Sequence, residues 1–274
     1  MTTCGHAVGE RADWRITAVV RAGLVFLFTW IIAARHGTPL VAWGPPTLWM
    51  RSIAGSISML LTFYAMARLP VGTLLTLTNT FPLWVTLIAW PVLGHRPTAL
   101  FAVAVISGVA GVAFIEGPQS TGIRAASVAA LLASFCTAIV MIGLHRLRSV
   151  ESLAIVVHFS AVATVVCFLY SVVTACLWEP IDLNALKDPK TIVLLLGVGM
   201  CGTAGQVSMT RAFGLGRPQN LSVVFLSQVV FALGFDWAIW GRNLTPMTLA
   251  GTILILAPVA WLLTKQTPST LTEK

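Results

Sequence analysis

Charge is what this sequence has least of. Only 9% of its 274 residues are Asp, Glu, Lys or Arg, against about 25% in an ordinary soluble domain. A water-facing surface cannot be built from so few charges, which excludes a soluble enzyme, a disordered chain and a fibrous repeat. Cysteine is scarce too. Cys4, Cys136, Cys167, Cys176 and Cys201 are odd in number, form no CxxC, and four of them lie in or at the end of apolar runs. They read as small core residues, not as a disulfide or metal framework. Long loops are missing; the longest, about 177–189, is too short for a soluble domain. There is no HExxH, no Walker A loop and no GxSxG, and none of the five histidines stands at zinc-ligand spacing from another His or Cys. No cofactor, no metal and no enzymatic reaction are therefore expected. An integral-membrane enzyme is the weaker alternative, with His145 and Glu151 as its nearest approach to an acid/base pair.

What is present is hydrophobic: 57% of residues, at a mean hydropathy of +0.88. The apolar runs are about twenty residues long, the length of a membrane-crossing helix, and twice that of a barrel strand. Nine such runs are predicted: 14–34, 48–67, 71–93, 97–116, 123–144, 152–176, 190–212, 218–240 and 245–264. Gly and Pro punctuate the connections, as at Gly37-Thr38-Pro39, Gly44-Pro45-Pro46 and Leu69-Pro70. Nine of ten tryptophans fall near span ends, an interfacial belt, with Trp84 alone near mid-span. The expected fold is an all-α polytopic membrane protein surrounded by lipid bilayer.

The net charge of +8 does not indicate nucleic acid, because the basic residues are scattered between apolar runs. Alternate loops hold nine Lys or Arg on one side (Arg35, Arg51, Arg96, Arg146, Arg148, Arg211, Arg217, Lys265, Lys274) and five on the other (Arg68, Arg124, Lys187, Lys190, Arg242). The first set is placed inside, with a cytoplasmic C-terminus in the plasma (inner) membrane. Arg11, Arg15 and Arg21 at the head conflict with that orientation. A signal peptide is the lesser reading there, since 14–34 is long for one and Arg21 interrupts it.

A shift of 147 residues aligns the halves. Residues 64–98 fall on 211–245, so that Ala65 meets Ala212, Trp90 meets Trp237, Gly94 meets Gly241 and Thr98 meets Thr245. The second half has five spans and the first has four. An odd-numbered unit re-enters the membrane in the opposite sense, which makes an inverted repeat with its site at the repeat interface.

The stretch FYAMARLPVGTLLTLTNTFPLWVTLIAWPVLGHRPTALFAVAVISGVAGV resembles the EamA-type domain of the drug/metabolite transporter superfamily. The resemblance rests on Tyr64-Ala65, the Thr-rich stretch Thr73–Thr80, Pro82 in mid-span, Leu93-Gly94, and Gly108 with Gly111. It covers about 14–265 and is more specific in the first half. It implies ten spans as two inverted five-span repeats, and export or exchange of a small metabolite through a central cavity. The sequence departs from the pattern in having His95 and Arg242 where Glu is common, and Val229 where the first copy has Pro82. It also lacks a span before residue 14. The expected layout is a 4+5 inverted-repeat bundle: a non-membrane segment 1–13, a first repeat 14–116, a second repeat 117–265 and a cytoplasmic tail 266–274. Either a further span is encoded upstream, or the gap exposes the polar faces of 48–67 and 71–93 and calls for a homodimer.

Polar side chains within spans face protein or a cavity. Ser52, Ser56, Met59 and Phe63 form one helical stripe, and Thr203, Gln206 and Thr210 form the stripe that the repeat relates to it. Thr73, Thr76 and Thr80 share a face whose counterparts are Asn220, Val223 and Ser227. The candidate substrate-binding residues are Ser56, Thr80, Trp84, Thr203, Gln206 and Ser227. Arg21 and His158 are the ionisable candidates for contact with a substrate anion or a proton. Interhelical packing is the competing reading for each hydroxyl, and a structural kink for Pro82. The function these residues favour is transport of a small organic solute by alternating access; a membrane interaction protein without transport is the alternative.

Overall fold

The computed structural model describes residues 2–9, 11–93, 121–177, 180–215 and 245–265, with scattered helical positions in 103–114 and 228–241. Most of the predicted spans 97–116 and 218–240, and all of 216–227, lie outside the described residues. The described elements are α1 (Thr2–Gly9), α2 (Trp14–His36), α3 (Pro46–Met66), α4 (Val71–Thr78), α5 (Phe81–Leu93), α6 (Thr121–Arg146), α7 (Ser152–Leu177), α8 (Pro189–Leu215) and α9 (Pro246–Lys265), with a short 3-10 turn at Asn184–Lys187. No strand occurs among the described residues.

Local chemistry sets these boundaries. Asp13 caps α2 by accepting the Arg15 amide at 2.8 Å. Gly37 ends α2 in the left-handed region, at φ 64°, where a side chain would be strained. Pro46 opens α3 at the position where a missing amide hydrogen costs nothing. Among the described residues, four helices are long and apolar enough to cross a membrane by themselves: Trp14–His36, Ile123–Leu144, Ser152–Leu177 and Pro189–Ala212. α3 has the length, at 21 residues, but is less apolar, because it carries Arg51 and three serines. Its position explains this: it packs against α2, α6 and α7, so much of its surface meets protein.

The predicted span 71–93 is corrected to two helices. Pro82 has no amide hydrogen, and its ring collides with the carbonyl four residues back, that of Thr78. α4 ends at Thr78, and Asn79 and Thr80 form a turn before α5.

Packing follows membrane rules, in which small residues admit close approach. Ala126, Ala129, Ala130 and Ala133 of α6 are all buried, and α3 and α6 are in extensive contact. A Cβ on Gly55 of α3 would come within 2.7 Å of the Phe159 ring of α7. Hydroxyls in the spans donate to the carbonyl four residues back, as in Thr29 to Val25, Ser56 to Ser52, Thr76 to Gly72 and Ser160 to Val156. The expectation that the polar faces of 48–67 and 71–93 open to lipid is therefore corrected. Ser52, Ser56, Ser58, Thr73, Thr76 and Thr80 are buried. α1, whose length of about 12 Å falls short of the hydrocarbon thickness, lies over one end of the same region. Its Gly5 faces Met66 and Phe63, and its Val8 packs with Leu195 and Val198.

The arginines at the head of the chain are engaged. Arg11 pairs with Asp188 at 3.5 Å. Arg15 pairs with Asp13 at 2.5 Å and donates to Thr174 of α7 at 3.2 Å. Burial opposes ionisation of Asp13, but the hydrogen bonds from Arg15 outweigh it and hold the carboxyl below its ordinary range.

Candidate functional site

The α4–α5 break gathers polar groups against α6. Thr80 sits in the turn, its Oγ1 2.9 Å from Ser134 Oγ of α6 and 2.8 Å from the Leu77 carbonyl oxygen. Trp84, one turn later, donates its indole N–H to Ser134 Oγ at 2.8 Å and meets Phe135 edge-on at 5.5 Å. Two of the six candidates, Thr80 and Trp84, thus converge on one α6 hydroxyl. Ser134 is the residue that joins them.

A second polar contact spans the two halves at the same break. Gln228 donates to Asn79 Oδ1 at 3.1 Å, and Asn79 donates to the Leu75 carbonyl at 2.6 Å. Asn79 and Gln228 were not singled out from the sequence, although the reasoning that picked out Gln206 applies to them. An amide in an apolar run needs several partners, and Asn79 stands three residues before the span's proline. Nearer the end of the bundle, Asp236 is 2% exposed and accepts the amides of Val71 at 3.2 Å and Gly72 at 2.5 Å. A carboxylate from the second half therefore caps the start of α4 in the first, where the helix dipole favours it.

The other candidates are placed differently. Ser56 is buried and bonded to its own helix. Its stripe packs α3 against α2 and α7: Ser52 lies 2.9 Å from His158 Nδ1, and Met59 receives the Arg21 guanidinium. His158 also meets Trp49 edge-on at 4.8 Å. It forms the polar end of an otherwise apolar cleft of about 270 Å³, between the 40–42 loop, Trp49 and α7 residues Ala154, Val157, Ala161 and Val162. Thr203 is buried and donates to the Gly199 carbonyl at 2.8 Å. Gln206 is half-buried. Ser227 lies outside the described residues. Thr80 and Trp84 come together, whereas Thr203 and Gln206 stand on α8 without a hydrogen bond to that cluster among the described residues. No group of His, Cys, Asp and Glu that could hold a metal occurs among the described residues. Glu151 accepts from Thr38 at 3.2 Å.

These helices define a class: an α-helical integral membrane protein with a broken helix at its centre and polar contacts between its halves. The chain belongs to the EamA-like transporter family, whose model matches residues 2–117 and again 124–264. It is a membrane transporter built as a two-repeat helical bundle. It is 26% identical over 241 residues to the pseudopaline exporter CntI of Pseudomonas aeruginosa, covering 86% of this chain and 81% of that protein. It is 22% identical over 228 residues to human solute carrier family 35 member G1, covering 76% of this chain and 59% of that one. A solved crystal structure matches the fold with a TM-score of 0.68 at 14% identity, over 95% of this chain and 92% of that one.

Proposed function

We propose that this chain moves a small organic solute across the plasma membrane by alternating access, with the solute held between the two halves near mid-membrane. The observation that carries this reading is the α4–α5 break. An interrupted helix frees backbone groups, and in a membrane these are tolerated where protein or a cavity satisfies them. Here the break carries Thr80, Trp84 and Ser134 on one side and the Asn79–Gln228 contact between halves on the other. Trp84 offers an apolar face, and the hydroxyls and amides orient by neutral hydrogen bonds. Thr203, Gln206 and Ser227 are taken as the wall opposite Thr80 and Trp84 and Ser56 as a residue reached when the halves move, with Arg21 of α2 and His158 of α7 as ionisable contacts against α3. The repeats are taken as 14–116 and 117–265, and the C-terminus as cytoplasmic. The similarity to an exporter supports outward movement.

Replacing Trp84 by Leu and Gln206 by Leu tests the site. Each should lower flux of a transported solute in reconstituted vesicles at least tenfold for Trp84 (about 1.4 kcal/mol) and less for Gln206, with insertion unchanged. Unchanged flux in both variants at equal protein level would remove the site from this interface.

A further inference from the structure

Arg51 is a cation sealed inside the bundle. The sequence places it at a span edge on the cytoplasmic side. The structure instead puts it in the second turn of α3, 1% exposed, between α6 and α7. None of its Nε, Nη1 and Nη2 atoms has a hydrogen-bond partner. Its guanidinium lies 4.4 Å from the centroid of the Phe159 ring, and its Cβ and Cγ fill the notch left by Gly143, where a Cβ would approach them at 3.1 and 3.5 Å. The ion pairs among the described residues, Arg11–Asp188 and Arg15–Asp13, do not involve it. Arg21 repeats the situation on the same seam. Its Nε is buried without a partner, and its guanidinium donates to the thioether of Met59. Met59 is eight residues, or about 12 Å, along α3 from Arg51.

An ionised group buried without a partner is costly, and a ring face offsets only part of that cost. Arg51 wholly unpartnered and Arg21 partly so, on one seam of a chain with so few charges, point to a role that an uncharged residue would not fill. We propose that Arg51, with Arg21 further along the seam, binds the carboxylate of an anionic organic solute. This deepens the transport reading and rests on it. Phe159 covers one face of the Arg51 guanidinium, which leaves the in-plane N–H edge for a ligand. That edge is a fork matching the two oxygens of a carboxylate.

The seam can also part. α3 meets its neighbours around Arg51 through glycines, Gly55 against Phe159 and Gly143 against Arg51 itself. The present conformation is closed over the arginine. A carboxylate that reaches Arg51 stabilises the parted state and not this one, and that differential affinity is what drives a change of state.

The test uses the full chain purified in detergent. Its melting temperature is measured with lactate, glutamate, glutarate and citrate, each beside a neutral amide or ester counterpart, with sulfate as an ionic control. At least one carboxylate should raise the melting temperature by about 4 °C or more at saturating concentration. Its neutral counterpart and sulfate should not. Arg51→Gln should abolish that shift, Arg51→Lys should retain part of it, and Arg124→Gln, at an exposed position, should leave it intact. Arg51→Gln without ligand should melt no lower than the wild type, since it removes an unpaired buried charge.

A shift that survives in Arg51→Gln overturns the proposal, as does a panel in which no carboxylate exceeds its neutral counterpart. Flux of the same panel in vesicles separates this from the parent reading. Transport of a neutral solute at equal rates by wild type and Arg51→Gln would overturn the anion site and leave transport standing. An Arg51-dependent shift with no flux would do the reverse.

Discussion

α3 and α8 carry the same polar stripe in sequence and use it differently in the structure. The 147-residue shift sets Ser56 on Thr203, Met59 on Gln206 and Phe63 on Thr210. On α3 that face is buried, and its groups reach across to other helices: Ser52 to His158 and Met59 to Arg21; Ser58, on a neighbouring face, reaches the Ala133 carbonyl and Thr137 of α6. On α8 Thr203 bonds to its own helix and to no other among the described residues. Gln206 is half-buried, and Met200, Cys201, Ala204, Gly205 and Ser208 around it are exposed. A repeat in sequence thus marks corresponding faces without assigning them equal jobs. One copy has become a packing surface, while its relative is flanked by exposed residues.

The largest test of this contrast is steric. A Cβ on Gly55 would come within 2.7 Å of Phe159, whereas one on Gly205 would meet nothing within 4 Å. Gly55→Ala should destabilise by about 1–3 kcal/mol through overpacking, and Gly55→Leu should prevent folding. Gly205→Ala should be neutral or stabilising by up to about 1 kcal/mol, as Ala is the better helix former. Melting temperatures in one detergent check both; equal losses at the two glycines would end the distinction.

A smaller effect is expected from the hydroxyls. Ser58 donates to α6 at 2.9 Å, so Ser58→Ala should cost about 0.6 kcal/mol, the scale of a hydrogen bond between membrane helices. Thr203→Ala removes only a bond within α8 and should cost less than that. The smallest effect concerns helix starts. α8 begins at Asp188, whose carboxylate is held below its ordinary range by the Thr191 hydroxyl and then by the Lys190 amide. α3 begins at Pro45-Pro46 with no side-chain cap. A depressed carboxyl contributes stability that is present above its ordinary value and lost as pH falls through the lowered one. Acidification through the carboxylate range should therefore raise hydrogen exchange at Lys190 and Thr191, after correction for intrinsic rates. It should leave the first turn of α3 unchanged, and Asp188→Asn should remove the pH dependence.

Much of the fold was legible because its signals are local. The span limits of α2, α6, α7 and α8 follow from apolar length and from breakers such as Gly37 and Pro189. The all-α class follows from composition. Pro82 announced a disturbed helix, but not that α4 and α5 separate at Asn79-Thr80 to bond Ser134. Thr80 and Trp84, which the structure brings together on Ser134, were named as candidates because polar and aromatic groups in mid-span stand out. Ser134 is not among the candidates named from the sequence. Its role depends on how α6 lies against the break, which no spacing encodes. Arg51 was assigned to the membrane surface because loop counting treats any span-edge arginine as wet. Only the packing of Gly143 and Phe159 around it reveals that it is enclosed. Asp236 lies near the end of the predicted span 218–240, and its partners, the amides at the start of α4, lie in the other half of the chain.

The central claim is that the space around the α4–α5 break communicates with both sides of the membrane in turn. The most direct measurement places a single cysteine at Ser134 in a chain whose native cysteines are serine. Sealed vesicles of each orientation are then treated with a membrane-impermeant thiol reagent, with Ala163→Cys in the packed core as the control. Alternating access predicts labelling of position 134 from both sides and none at 163. Labelling from one side only, or from neither, would contradict it.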